Sequence, residues 1–156
     1  MADNWIDYWD KANTFTEENM RKNMEIFIGG SKPILNYGPN DIVLDIGCGP
    51  GNLEISLKDE VKEIHCLETS RSYIHLCKKK FKNSKNLFFY RLDPKNYTGL
   101  SFLKKKFSKI ICLSVIQYYG SADDVENLIK EARNVALPQA KFLIADIPVK
   151  SSIFSD

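Results

Sequence analysis

Asp45, Gly47, Gly49 and Gly51 carry most of the chemical information in this chain, standing at alternate positions in Asp45-Ile46-Gly47-Cys48-Gly49-Pro50-Gly51. Ile42-Val43-Leu44 precedes them and reads as a buried parallel strand, because aliphatic residues without alternation suit a strand covered on both faces. Glycines let the backbone turn sharply and approach a ligand with no Cβ in the way. Asp45 falls at the carboxyl end of the strand, where open α/β sheets bind their ligands. A carboxylate ahead of a glycine loop suits a ligand that carries positive charge as well as a nucleotide. Glu68 ends a second apolar run about 20 residues on.

The dinucleotide fingerprint G-x-G-x-x-G would need glycine at position 52, which is Asn52, and has no use for Asp45 beside a pyrophosphate. The run instead resembles the first motif of class I S-adenosylmethionine-dependent methyltransferases, (Asp/Glu)-x-Gly-x-Gly-x-Gly. That resemblance implies that Asp45, Gly47, Cys48, Gly49 and Gly51 cradle S-adenosyl-L-methionine and that Glu68 takes its ribose. Asp93, in Arg91-Leu92-Asp93-Pro94, resembles the family acid that accepts a bond from the adenine amino group. Leu92, Thr69 and Ser70 would line the adenine pocket, and Ser114 would stand near the methionine part. Leu113 to Tyr119 resembles the fourth-strand motif of small-molecule methyltransferases, and lacks the Asn/Asp-Pro-Pro-Tyr signature of enzymes acting on nucleic-acid or protein nitrogens. The implied activity is methyl transfer to a small-molecule acceptor. The alternative is a catalytically inactive methyltransferase-like binding subunit. No general base stands out.

These residues need a scaffold that brings strand ends together. From residue 41 onward strands and helices alternate, which argues for an α/β domain with a mainly parallel sheet. Strands are expected at 41–46, 63–68, 87–92, 110–115 and 141–145, with a helix at 51–58. A second helix carries Tyr73, Ile74, Cys77 and Phe81 on one face, with lysines largely outside it. A third opens at Ser121 and runs along Val125, Leu128, Ile129, Ala132 and Val135 until Pro138 ends it. The resemblance implies a Rossmann-like doubly wound sheet of order 3-2-1-4-5 with helices on both faces. Residues 1–40 read as a helical cover, with a Thr14-x-x-Glu17 capping box and a stop at Gly29-Gly30. Trp5, Tyr8 and Trp9 would anchor its leading helix. Residues 41–156 then form the cofactor-binding core of a single domain.

The family usually adds two more strands, so the core reads as truncated after strand five. This favours a fragment of a longer protein over closure of the open edge by a second copy or a partner chain.

With 156 residues, the chain can bury roughly two thirds of its unfolded surface in one domain. A formal net charge of +2 gives no electrostatic argument for nucleic acid, so Lys78–Lys80 and Lys104–Lys106 read as solvated faces. No apolar run approaches the roughly 20 residues of a membrane span, and the N-terminus lacks the pattern of a signal peptide, which makes cytoplasm the expected location. The four cysteines, Cys48, Cys66, Cys77 and Cys112, are wrongly spaced for zinc, and only Cys48, in the glycine loop, is a candidate for reactivity. His65 reads as a strand residue and His75 as helix surface; no metal pair is expected. Tyr118 and Tyr119 shape the acceptor pocket, face a sulfonium with an aromatic ring, or pack with wet hydroxyls.

Overall fold

The structure is a computed structural model and describes residues 17–93, 96 and 98–147. Its elements in chain order are α1 (Glu17–Leu35), β1 (Ile42–Ile46), α2 (Asn52–Leu57), β2 (Glu63–Glu68), α3 (Arg71–Lys80), β3 (Leu87–Arg91), β4 (Phe107–Leu113), a 3₁₀ turn (Ile116–Tyr118), α4 (Ala122–Val135) and β5 (Ala136–Ala145). All four strand pairings are parallel and give the order β3-β2-β1-β4-β5, as expected. Parallel strands need crossover connections, here helices except, among the described residues, between β3 and β4, and these cover both faces. Alternate residues therefore feed two cores. Val43, Ile64, Cys66 and Ile111 pack with α1, α2 and α3. Leu44, Ile46, Leu67, Ile110 and Cys112 pack with α4 and with Leu100 and Leu103.

The helix caps follow the sequence. Ser121 Oγ accepts the Asp124 N–H at 3.2 Å, with Asp123 and Asp124 complementing the dipole of α4. Leu128, Ala132 and Val135 are its buried stripe. Ser70 caps α3 in the same way, accepting from the Tyr73 N–H at 3.2 Å. Ile74, Cys77 and Phe81 point inward, and Lys78, Lys79 and Lys80 are exposed.

Three boundaries differ from expectation. Helix α1 runs through Gly29-Gly30 to Leu35. Two glycines cost roughly 1 kcal/mol each in a helix, but burial of Ile28 and Leu35 against the sheet outweighs that, and Asn36, at φ +52°, supplies the left-handed stop. Strand β4 spans 107–113 rather than 110–115, because Ser114 adopts a left-handed backbone (φ +57°) and the chain turns at once. Pro138 does not end α4. That helix stops at Val135, and Pro138 lies within β5, where the register shifts between Phe107↔Ala136 and Lys109↔Lys141. A bulged edge strand tolerates a residue without an N–H. Trp5, Tyr8, Trp9 and Thr14 lie outside the described residues.

Helix α1 packs on α2 and β5. Lys141 Nζ donates to the Ile34 carbonyl at 2.6 Å, and Lys32 pairs with Glu60 at 2.7 Å. One edge of α1 is thereby held over the carboxyl ends of the strands. No helix among the described residues is long and apolar enough to cross a membrane.

Candidate functional site

The ends of all five strands open into one crevice of about 680 Å³, within the roughly 300–1,000 Å³ of ligand sites. Its floor includes Asp45, Glu68, Leu92, Ser114 and Asp146, one from the end of each strand or the residue after it. The glycine loop forms one wall, and Met24, Ile26 and Phe27 of α1 overhang it.

The loop is folded tightly on the sheet. Gly47 and Cys48 both donate their N–H groups to the Leu67 carbonyl, at 2.8 and 3.0 Å, and Gly51 N–H closes a turn onto Cys48 O at 3.1 Å. All three glycines have left-handed φ (+81°, +52° and +81°), which L side chains adopt only at a cost. Their free sides differ. A Cβ on Gly47 would stand 2.3 Å from Val115 Cγ2, and one on Gly51 would stand 2.6 Å from Phe81 Cε2. A Cβ on Gly49 would meet no atom within 4 Å. Gly47 and Gly51 are therefore required by packing, whereas Gly49 faces open crevice.

Glu68 ties the loop to the second strand. Its Oε2 accepts the Gly49 N–H at 3.0 Å, and its Oε1 accepts the Ser70 N–H at 2.8 Å and the Thr69 hydroxyl at 3.3 Å. Burial raises its pKa, and these donors partly offset the rise. A carboxylate has about four lone-pair sites, so acceptor capacity remains on Oε2 for a hydroxyl in the crevice.

Asp45 is almost fully buried. Burial first, and then the neighbouring carboxyl of Glu54, hold its pKa well above the ordinary carboxylate range. Glu54, on α2, is itself wholly buried, with neither carboxylate oxygen hydrogen-bonded among the described residues, and burial raises its pKa too. Two adjacent buried acids cannot both ionise cheaply. An arriving cation would favour the ionised form of Asp45.

Eight of the ten expected residues sit in the crevice lining: Asp45, Gly47, Cys48, Gly49, Glu68, Thr69, Leu92 and Ser114. Gly51 lies behind the loop against Phe81 and Cys77. Asp93 is exposed and does not line the crevice. Cys48 is buried in the core; contact with Cys66 foremost, together with burial, keeps its thiol pKa well above normal, so the thiolate needed for reactivity is suppressed. Cys112 is pushed up to about 12 by burial. Sequence reasoning missed Glu54, Asn52, Asp146 and, though it expected a helical cover from residues 1–40, the residues by which α1 overhangs the crevice. Asn23, Met24 and Phe27 at helical spacing was the one available signal for the last.

Residues 43–139 match the family model described as "Methyltransferase domain". The chain is 25% identical over 101 residues to the putative methyltransferase YqeM of Bacillus subtilis, covering 65% of this chain and 40% of that protein. Among solved structures it resembles the PH0226 protein of Pyrococcus horikoshii OT3, with TM-score 0.72, 25% identity and coverage of 88% of this chain and 64% of that one. A S-adenosylmethionine-dependent methyltransferase from Clostridium acetobutylicum shares the fold, with TM-score 0.65, 23% identity, 80% of this chain and 49% of that one. The chain spans 3%, 40% and 55% of three curated relatives that it matches.

Proposed function

This chain belongs to the class I S-adenosylmethionine-dependent methyltransferase domain family, and we propose that it binds S-adenosyl-L-methionine in the crevice and transfers the methyl group to a small-molecule acceptor. One observation carries the reading. Gly49 presents an open, Cβ-free face beside the Glu68 carboxylate, while the glycines on either side are closed off by packing. A bare backbone next to a ribose-accepting acid is what an adenosyl group requires. The crevice also suits the charge: Asp45 and Glu68 line its cofactor end, and no Lys, Arg or His lines the crevice among the described residues.

In this reading Glu68 holds the ribose hydroxyls, and Leu92 and Thr69 flank the adenine. Gly47, Cys48, Gly49 and Gly51 shape the loop, Asp45 balances positive charge, and Ser114 stands toward the methionine end. The bound cofactor supplies a methyl group already made electrophilic by its sulfonium. The chain's own task is then to align an acceptor in line and exclude water, a contribution of roughly 7–11 kcal/mol in favourable cases. The mainly apolar overhang of α1 serves the exclusion.

Thermal-shift measurements with S-adenosylhomocysteine and with NAD test this reading, because only a ligand that binds the folded state raises the melting temperature. A rise with the first alone is expected. A rise with NAD alone would replace this reading with a dinucleotide site.

A further inference from the structure

We propose that Asp146, at the end of β5, is the recognition carboxylate for the methyl acceptor and selects a protonated amine carried on an apolar body. The inference rests on the cofactor reading above and names the substrate class for the same crevice. Strands lie about 4.8 Å apart, so in the order β3-β2-β1-β4-β5 the end of β5 stands roughly 10 Å from the end of β1. The residues assigned to the adenosyl group lie on β1, β2 and beyond β3. With the methionine end reaching Ser114 beyond β4, the end of β5 is the part of the crevice left for a second molecule.

What lines that end is specific. Ser114 Oγ donates to Asp146 Oδ2, and Ser114 N–H donates to the Ala145 carbonyl at 3.1 Å, locking the two strand ends together. Among the described residues Asp146 Oδ1 has no hydrogen bond, and Asp146 is exposed to the crevice. Ser114 and Asp146 both hold left-handed backbones, φ +57° and +58°, a conformation that is strained for non-glycine residues and that gathers at ligand sites. The same crevice is lined by Met24, Ile26 and Phe27 of α1 and by Tyr118 and Tyr119. An apolar lining that also holds a carboxylate, with no cationic side chain among the described lining residues, suits an arylalkylamine. The same lining would repel a carboxylate or phosphate acceptor, which would find no counter-charge.

Calorimetry of the full chain saturated with S-adenosylhomocysteine tests this with two matched probes, phenethylamine and 3-phenylpropanoate. Phenethylamine is expected to bind and 3-phenylpropanoate to give no saturable heat. Asp146→Asn, which tolerates the left-handed backbone, is expected to weaken phenethylamine at least tenfold while S-adenosylhomocysteine affinity stays within twofold of wild type. Asp146→Glu is expected to recover part of the amine affinity. Equal binding of the two probes, no binding by either, or an unchanged amine affinity in Asp146→Asn overturns the proposal while leaving the cofactor reading intact. If S-adenosylhomocysteine itself fails to bind the wild type, the cofactor reading fails and the amine subsite falls with it.

Discussion

Alanine at each of the three loop glycines separates packing from ligand contact within one short segment. All three positions have left-handed φ, so each alanine costs roughly 1–2 kcal/mol in backbone energy alone. At Gly49 nothing else is added, because the new methyl enters open space. At Gly47 it must displace Val115, a β-branched side chain with few rotamers to retreat into. At Gly51 it collides with Phe81 and comes within 3.1 Å of Cys77 Sγ, both in the core. Overpacking typically adds about 1–3 kcal/mol. Gly47→Ala and Gly51→Ala are therefore expected to lose about 2–5 kcal/mol in all. That is a large part of the roughly 5–15 kcal/mol that holds an ordinary domain together. Urea titration measures the stability and calorimetry with S-adenosylhomocysteine the affinity. Gly49→Ala should be the mildest in urea and should still lose most of its affinity. Adding Val115→Ala to Gly47→Ala should restore part of the stability, since it removes the obstructing methyl. If Gly49→Ala binds like wild type, or Gly47→Ala is as stable as Gly49→Ala, the division of labour in the loop is wrong.

Glu68→Ala strips acceptors from the Gly49 and Ser70 N–H groups and from the Thr69 hydroxyl, so it should lower stability by about 1–3 kcal/mol and abolish S-adenosylhomocysteine binding. Denaturant melts and calorimetry read the two effects separately. The buried acids make stability depend on pH with a definite sign. Asp45 and Glu54 have raised pKa values when folded, so above about pH 4 the native state keeps protons that the unfolded chain has released. Stability then falls as pH rises. Glu54→Gln should melt higher than wild type at pH 7 and show a shallower decline from pH 5 to 8. An unchanged slope would remove Glu54 from the pair. S-adenosylmethionine binding at pH 6 should release protons as Asp45 ionises beside the cation, which calorimetry in buffers of different ionisation enthalpy measures.

The strand order and the acid–glycine loop were legible because local signals and tertiary fold agree there. An aliphatic strand, an acid and glycines at fixed spacing imply one another. Glu68 was legible for the same reason, since its spacing from the loop is set by one crossover. Gly29-Gly30 misled because a glycine pair is a stop signal only where no buried face carries the helix on, and Ile28 and Leu35 do carry it. Pro138 misled because a bulge at a sheet edge removes the penalty for a missing N–H. Glu54 reads on the sequence as an ordinary first-turn acid of a helix. Its burial against Asp45 arises from how α2 crosses the sheet, which no local pattern encodes. Asp146 was not singled out although it directly follows the expected fifth strand, because nothing local marks it apart from other loop acids.

A crystal structure of this chain with S-adenosylhomocysteine tests the central claim most directly. Electron density for the adenosyl group is expected beside Gly49, with the ribose hydroxyls on Glu68 and the adenine toward Leu92. A ligand bound anywhere other than this crevice, or ribose hydroxyls turned away from Glu68, would contradict the account.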